Sequence, residues 1–310
     1  MAHIWPIGGG KGGTGKSFLT ANIGILLAKQ RFKTLIIDAD LGAPNLHTLV
    51  GLAHPALSLS HFLSKRVATL QETVLEIPIP NLFLISGAGN ELDVANLAHE
   101  RKMKMLRGIS GLDYDYILLD LGAGTSFNTI DFFTLSDSGI FVCTPEPTSI
   151  ENIYRLIRSV YVRKIRQVLK IHRFRALATE AEARDQDAVI QSPEYLLEVL
   201  KDLNPEEGSI LENSLKSFQF KLVVNQMRRG DNPKLGVLIC RIIERHLGLK
   251  IQFIGNVSYD ENVHEAVCRR EFFIDQYRYS QATLDLKTVV KGIVAMTEEQ
   301  AAALKPATFI

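Results

Sequence analysis

Two lysines stand among six glycines in GGGKGGTGKS, residues 8 to 17 of the chain. Gly10 to Ser17 match the pattern G-x-x-x-x-G-K-[ST] of a phosphate-binding loop. Glycines in such a loop allow positive φ angles and bring backbone N–H groups against phosphate oxygens without interference from a Cβ. Lys16 would add a positive charge at the β- and γ-phosphates, and the Ser17 hydroxyl can bind Mg²⁺. The pattern therefore predicts a site for the phosphates of a nucleotide together with Mg²⁺.

The loop leads directly into a predicted helix, KSFLTANIGILLAKQ. A helix amino terminus presents free N–H groups and a positive dipole end, which favour a bound phosphate. We expect the nucleotide to contact a continuous segment made of Gly10, Lys11, Gly12, Gly13, Thr14, Gly15, Lys16, Ser17 and Phe18.

Carboxylates that complete such a site follow two further apolar segments. Asp38 and Asp40 lie in TLIIDADLGAPN, and Asp120 ends YDYILLD. Phosphoryl transfer depends on positioning and charge control, so one carboxylate can support Mg²⁺ while another orients the attacking water. A solvated turn is the alternative explanation for Asp38 and Asp40 when they are taken alone.

The elements that must position these residues alternate between short apolar segments and helical patterns, which is typical of parallel strands joined by crossover helices. The carboxyl ends of such strands are where ligands bind. Pro6 lies inside the first segment, where its missing N–H predicts a bulge or an edge of the ladder. The predicted strands are HIWPI, TLIID, LFLIS, YILLD, GIFVC, KLVVN and IQFIGN. The other clear helices are SIENIYRLIRSVYVRKIRQVLKI and ATLDLKTVVKGIVAMTEEQAAAL.

Composition excludes several classes of protein. The 310 residues are 46% hydrophobic, carry a formal net charge of +1 and contain three scattered cysteines. The net charge is too small to indicate a nucleic-acid binder, and the spacing of the cysteines does not indicate a disulfide framework or a zinc site. No segment has the length of a membrane span or the pattern of a signal peptide. We expect a cytoplasmic protein.

The segment KGGTGKS resembles the deviant Walker A motif, KGGxGK[ST], of the MinD/ParA group of ATPases. In that family the first lysine reaches across a dimer interface to the phosphates held by the partner subunit. The resemblance implies the same role for Lys11. The catalytic residues that it implies are Lys11, Lys16 and Asp40. Without it, Lys11 would be interpreted as a solvated surface lysine.

The segments that carry the carboxylates resemble the switches of the same family. DADLGAPNL is similar to switch I, which assigns Asp40 to the attacking water and Asp38 to magnesium or to the phosphate-loop network. YILLDLGAG is similar to a Walker B strand followed by switch II. The resemblance gives Asp120 to Mg²⁺ through water, so the metal residues are Ser17, Asp38 and Asp120.

Two segments resemble the parts of the family that hold adenine. VVNQMR places Asn225 where the family's asparagine reads the base, with Met227 and Arg228 available to pack on the ring. GNVSYDENVHEA is similar to the family's IPxDxxVxxA loop, although Ser258 replaces the usual proline. That segment implies base contacts from Val257, Ser258, Tyr259 and Asp260.

The resemblance covers nearly the whole chain and is strongest to the MinD-like FlhG (FleN) regulators, because of DADLGAPN and TPEPTS. It implies a SIMIBI-class P-loop NTPase: one α/β domain, residues 1–310, with a twisted, mostly parallel sheet and helices on both faces. An irregular stretch at about 161–215 predicts a helical insertion. It opens with a basic segment, residues 163 to 175.

The function implied is a switch in which ATP drives formation of a homodimer that engages a protein partner. Slow hydrolysis would take the dimer apart, and such a switch would position cellular machinery. The carboxyl-terminal segment is alanine-rich and predicts a packed helix with a frayed end and weak lipid binding. Peripheral association with the inner membrane or with DNA therefore stays open without support from the sequence.

Three other functions were weighed. A metabolic ATPase that activates a carboxylate, of the cobyrinic acid a,c-diamide synthase or dethiobiotin synthetase type, uses similar loops. A ParA-like DNA-partitioning ATPase could use the basic segment, which is equally typical of a solvated helix face. An electron carrier of the nitrogenase iron-protein type is disfavoured, because SGAGNEL and DLGAGTSFN contain no cysteine.

Overall fold

A computed structural model describes residues 2–87, 99–171, 198, 201–202 and 204–303. Its described strands are β1 (His3–Gly9), β2 (Thr34–Asp38), β3 (Leu75–Glu76), β4 (Leu82–Ile85), β5 (Tyr116–Asp120), β6 (Ser138–Cys143), β7 (Gln219–Met227) and β8 (Gln252–Ser258). Its described helices are α1 (Lys16–Lys29), α2 (Leu46–Leu49), α3 (Leu59–Leu63), α4 (His99–Ser110), α5 (Phe127–Phe133), α6 (Pro147–Ile171), α7 (Pro205–Lys216), α8 (Leu235–Leu247), α9 (Asn262–Arg269), α10 (Phe273–Gln276) and α11 (Gln281–Ala303).

The strands form one eight-stranded sheet in the order β3-β4-β2-β5-β1-β6-β7-β8. Neighbouring strands are parallel except for the two-residue β3, which runs antiparallel to β4 at the edge. All seven strands predicted from the sequence are present, and β3 is an addition that its short sequence did not signal. The expected α/β fold, with a mostly parallel sheet, is confirmed.

Side chains alternate between two separate cores, one on each face of the sheet, as they must in a covered parallel sheet. On β5, Tyr116 and Leu118 pack on the face covered by α1 and α11, whereas Ile117 and Leu119 pack on the other face. The second face is covered by α4, α5, α6 and α8. Because α1 is buried almost all round, it is held firmly between the sheet and α11.

Pro6 lies within the β1–β5 ladder and just outside the β1–β6 ladder, so a ladder edge, one of the two arrangements expected from the sequence, is present at the proline. The carbonyl of Ile7 accepts a hydrogen bond from Leu121 N–H on the β5 side, so the neighbouring Pro6 nitrogen points toward β6. The ladder between β1 and β6 begins only at Ile7. No strand hydrogen bond is therefore lost at the proline.

The predicted insertion at 161–215 lies partly outside the described residues and stays a prediction. Residues 161–171 continue α6, and residues 205–216 form α7; residues 172–197 lie outside the described part of the chain. In the basic segment, Lys164 is buried and ion-paired with Asp137, and Arg163 is ion-paired with Asp131. These two side chains are thus engaged within the fold.

The predicted carboxyl-terminal helix is α11. Among the described helices, none combines the length and the apolar character needed to cross a membrane.

Candidate nucleotide-binding site

The phosphate-binding loop connects the end of β1 to the start of α1 at the carboxyl edge of the sheet. Gly13 and Gly15 have φ angles of 78° and 83°, in the left-handed region that favours glycine. Gly10 is required for another reason: a Cβ there would lie 2.3 Å from the carbonyl carbon of Asn152 in α6. The glycine pattern therefore serves both the curvature of the loop and its packing against α6.

Backbone N–H groups converge inside this loop. The first helical hydrogen bond of α1 is donated by Leu19 N–H to the Gly15 carbonyl, so the N–H groups of Lys16, Ser17 and Phe18 have no partner within the helix. The Phe18 ring packs edge-to-face on Phe273, with centroids 5.2 Å apart. Phe18 can therefore contribute to phosphate binding through its backbone N–H and not through its ring.

Lys16 lies inside the site and is only 8% exposed. Burial lowers the pKa of its ammonium group, and the nearby carboxylates of Asp120 and Asp40 oppose that shift. An ammonium group in such a setting gains from an added negative charge because so little water solvates it. The position and environment of Lys16 suit a phosphate ligand.

Asp120 ends β5 beneath the loop and is 1% exposed. Burial raises its pKa to about 6, although Ser17 donates a hydrogen bond to it and Lys16 lies near. Thr20 Oγ1 lies 3.4 Å from Oδ1, while Oδ2 is buried without a hydrogen-bond partner among the described residues. A buried carboxylate oxygen without a partner, beside a serine hydroxyl, is a donor set that fits Mg²⁺ or a water of its shell. Thr20 was missed by the sequence analysis because its motif ends at Ser17.

Asp38 is fully buried at the end of β2, and both of its carboxylate oxygens accept backbone hydrogen bonds. Asp40 N–H donates to Oδ1 at 3.2 Å, and Leu46 N–H donates to Oδ2 at 3.0 Å. Burial and the neighbouring Asp120 raise the pKa of Asp38 well above its usual range. These contacts hold the loop formed by residues 39–46. The two roles expected for Asp38, at magnesium or in the phosphate-loop network, stay predictions.

Asp40 lies at the junction between that loop and the segment after β5. A Cβ added to Gly122 would be 3.3 Å from Asp40 Oδ1, so the Asp40 carboxylate lies beside the Gly122 backbone, and Ala43 N–H donates to the same oxygen. Gly124 N–H donates to the carbonyl of Gly9 at 3.0 Å. The two predicted switch segments and the phosphate-binding loop therefore meet around one point.

Lys11 occupies a different environment from Lys16. Its Nζ is ion-paired with Glu146, and Thr148 Oγ1 lies 3.3 Å away. The Lys11 and Glu146 side chains are 30% and 59% exposed, which places the pair at the surface. The hydrogen bond from Lys11 lowers the pKa of Glu146. In the sequence, TPEPTS indicated only the family, so the contacts of Glu146 and Thr148 with Lys11 were missed.

Two side-chain amides from the end of β7 hold the phosphate-binding loop from its other side. Asn225 Nδ2 donates to the carbonyl of Thr14 at 2.9 Å, and Gln226 Nε2 donates to the carbonyl of Gly13 at 2.8 Å. Gln226 has a φ of 59°, an unfavourable conformation for a residue with a side chain. The role of Gln226 was missed, because nothing in its local sequence indicates a long-range contact.

The residues expected around adenine divide into exposed and buried groups. The Arg228 guanidinium lies over the Tyr259 ring at 4.7 Å, and Tyr259 is 46% exposed. Met227 and Val257 pack instead into the two cores, with 9% and 0% exposure, so their side chains leave almost no surface for a base. This burial disfavours contacts between these two side chains and the base, and their assignment to the base pocket stays a prediction.

Ser258 and Asp260 are engaged within the fold. Ser258 donates through both its N–H and its hydroxyl to Asp285, and Asp260 accepts from Asn262. Among the predicted base residues, Asn225 contacts the loop through the Thr14 carbonyl, while Arg228 and Tyr259 form an exposed stacked pair.

The fold and this site define a P-loop nucleotide-binding protein. Residues 6–273 match the family of CobQ/CobB/MinD/ParA nucleotide binding domains. The chain belongs to this family, which confirms the resemblance seen in KGGTGKS and in the switch segments and supports an ATPase.

Individual relatives agree with this assignment. The chain is 32% identical to a putative septum site-determining protein MinD of Guillardia theta over 276 residues, 88% of this chain and 98% of the relative. It is 23% identical to the antiactivator FleN of Pseudomonas aeruginosa over 293 residues, 94% and 86% of the two chains. The septum site-determining protein MinD of Pyrococcus horikoshii OT3, solved with Mg-ADP, shares the fold with a TM-score of 0.66, 17% identity and coverage of 97% and 99%.

Proposed function

We propose that this protein is an ATP-dependent, dimerising switch that regulates the position or assembly of cellular machinery. ATP and Mg²⁺ bind at the phosphate-binding loop, two copies close face to face, and slow hydrolysis to ADP and phosphate opens them again. The names of its relatives, site-determining MinD proteins and the antiactivator FleN, support a regulatory role over a metabolic one.

The observation that carries the proposal is the difference between the two loop lysines. Lys16 is buried next to Asp120 and Asp40, where it can serve the nucleotide of its own chain. Lys11 lies at the surface beside the exposed Glu146. A lysine at the outer rim of the loop is suited to reach the phosphates of a second copy, as an arginine finger does in other NTPases.

Each site residue then has a role in the cycle. Asp120 and Ser17 hold Mg²⁺, which neutralises charge on the phosphates when bound, and Asp40 orients the attacking water. Asp38 keeps the loop that carries Asp40 in place through the N–H groups of Asp40 and Leu46. The Asp40 carboxylate lies beside Gly122, so a movement of one switch segment displaces the other. This couples the state of the phosphates to the surface that the protein presents to a partner.

Light scattering on a sizing column tests the proposal. Asp40→Ala should elute as a monomer of 34.5 kDa with Mg²⁺ and ADP and at twice that mass with Mg²⁺ and ATP. Lys16→Ala should lose nucleotide binding. Lys11→Ala in the Asp40→Ala background should bind ATP and stay monomeric, whereas Lys250→Ala, an exposed lysine distant in sequence, should leave the ATP dimer intact.

Two outcomes would overturn this function. An ATP dimer that persists with Lys11→Ala would remove the role of Lys11 across the interface. A mass that does not change between ADP and ATP, with turnover that rises on addition of a small carboxylic acid, would favour a metabolic ATPase instead.

A further inference from the structure

A cavity of about 690 Å³ lies between α4, α5 and α6, on the face of the sheet opposite α1. Its apolar wall comes from Met103, Leu106 and Leu135. The last turn of α4 and the residues after α5 lead into the starts of β5 and β6. The cavity is therefore near the amino-terminal edge of the sheet, whereas the phosphate-binding loop is at the carboxyl edge.

Three arginines line this cavity: Arg107 from α4 and Arg163 and Arg166 from α6. Asp131 is the one carboxylate among its described lining residues. Asp131 already accepts from Arg163 through Nε at 3.0 Å and Nη2 at 2.8 Å, and from the buried ammonium group of Lys102. One carboxylate thus serves two cations, and the described side chains around the cavity carry an excess of positive charge.

The contacts of Asp131 also orient Arg163. Asp131 is 7% exposed and Lys102 is 7% exposed, so this pair is anchored in the protein interior. A guanidinium group held by two N–H contacts on one side keeps its plane fixed and leaves its remaining N–H groups free to bind a second anion. Preorganised guanidinium groups favour planar or tetrahedral anions such as carboxylate and phosphate.

We propose that this cavity binds a small organic anion with an apolar body and a phosphate or carboxylate group. The volume lies within the range of about 300–1,000 Å³ typical of small-molecule sites. The apolar body would pack against Met103, Leu106 and Leu135, while the anion would lie between Arg107, Arg163 and Arg166. A bare inorganic anion would leave the apolar wall without a contact. A neutral ligand would add no negative charge to a cavity in which one carboxylate, Asp131, faces three arginines.

Binding of 1-naphthyl phosphate by the full-length protein tests this site, measured by isothermal titration calorimetry with excess Mg²⁺ and ADP present to occupy the phosphate-binding loop. We expect one saturable site per chain. Inorganic phosphate and 1-naphthol, which each carry half of the required chemistry, should bind at least tenfold more weakly.

Charge-removing variants locate the site. The double variant Arg107→Gln/Arg166→Gln should weaken 1-naphthyl phosphate at least tenfold, and Arg107→Lys/Arg166→Lys should retain intermediate affinity. Arg241→Gln/Arg245→Gln on α8 removes the same charge from an exposed helix that does not line the cavity and should bind like the unmodified chain. Melting curves of all three verify folding.

The proposal fails if the Arg107→Gln/Arg166→Gln protein, folded by its melting curve, binds 1-naphthyl phosphate as tightly as the unmodified chain. It also fails if the α8 variant loses the same affinity, or if inorganic phosphate binds equally well. None of these readouts depends on ATP hydrolysis or on dimerisation, so they are separate from the tests of the proposed switch.

Discussion

The ammonium group of Lys11 is ion-paired with Glu146 of the same chain, the residue immediately before α6, and Thr148 Oγ1 lies 3.3 Å from it. Glu146 also accepts a hydrogen bond from Thr144 Oγ1 at 3.2 Å. In this conformation the Lys11 side chain is bound to residues at the surface of its own chain. If Lys11 must reach a second copy, the contact with Glu146 has to be exchanged for a contact with phosphate.

Replacing Glu146 by glutamine should therefore strengthen the ATP dimer. The pair is exposed and solvent screens it, so the gain should be modest, up to about fivefold in the dimer dissociation constant. Sedimentation equilibrium of Asp40→Ala/Glu146→Gln with Mg²⁺ and ATP measures it. Glu151→Gln, which loses an exposed pair with Arg155 on α6, is the matched control. A weaker dimer would mean that Glu146 supports the closed state.

Replacing Asp120 by asparagine should stabilise the nucleotide-free chain at neutral pH. The folded-state pKa of Asp120 is about 6, above the ordinary value of 3.8. The stability that comes with this raised pKa is fully present below about pH 4 and is lost as pH rises through about 6, by up to about 3 kcal/mol. Urea unfolding at pH 4.5 and pH 7.5 should show Asp120→Asn more stable than the unmodified chain only at the higher pH.

The same variant should no longer gain nucleotide affinity from Mg²⁺, because it lacks the charged oxygen. Asp113→Asn, at an exposed position, controls for the loss of one negative charge. Equal pH dependence of stability in the Asp120→Asn protein and the unmodified chain would contradict a raised pKa at Asp120.

Gly10→Ala should destabilise the fold, while Gly12→Ala should not. A Cβ at residue 10 would lie 2.3–2.5 Å from backbone atoms of Asn152 and Ile153, which cannot move without shifting α6. A Cβ at residue 12 would meet nothing within 4 Å. We expect a loss of about 1–3 kcal/mol for Gly10→Ala, the usual range for overpacking. Thermal unfolding without nucleotide distinguishes the two alanine variants. Equal midpoint temperatures would show that α6 shifts to accommodate the added Cβ at little cost in stability.

Gln226→Ala should weaken ADP binding by roughly two- to tenfold, since the loss of one amide hydrogen bond loosens the loop at Gly13. Gln226→Gly removes the same amide and also relieves the left-handed backbone at residue 226. The two variants should therefore share the loss in affinity, measured by calorimetry, while glycine is the more stable of the two by about 1 kcal/mol. Unchanged ADP affinity in both variants would show that the Gln226 amide does not support nucleotide binding.

Local patterns were sufficient for the fold and for the centre of the site. Seven strands and the three clearest helices were predicted, because a parallel sheet covered on both faces requires short apolar strands between longer helices. The phosphate-binding loop was predicted as well, since contiguous residues with restricted backbone angles form it. Pro6 left a bulge and a ladder edge both open, because a single strand does not reveal on which side each neighbouring strand pairs.

Tertiary structure alone decided the contacts between distant segments. Lys11 with Glu146, Gln226 with Gly13 and Asp40 with Gly122 each join parts of the chain that only the packed sheet brings together. It also decided that Met227 and Val257 point into the cores, since a strand-end side chain faces the site or the core according to the register of its neighbours. The sequence by itself determined which groups could bind a nucleotide, because residue types and their local spacing define the phosphate-binding loop. Their orientation and protonation depended on burial and on neighbours far along the chain, which only the folded protein supplies.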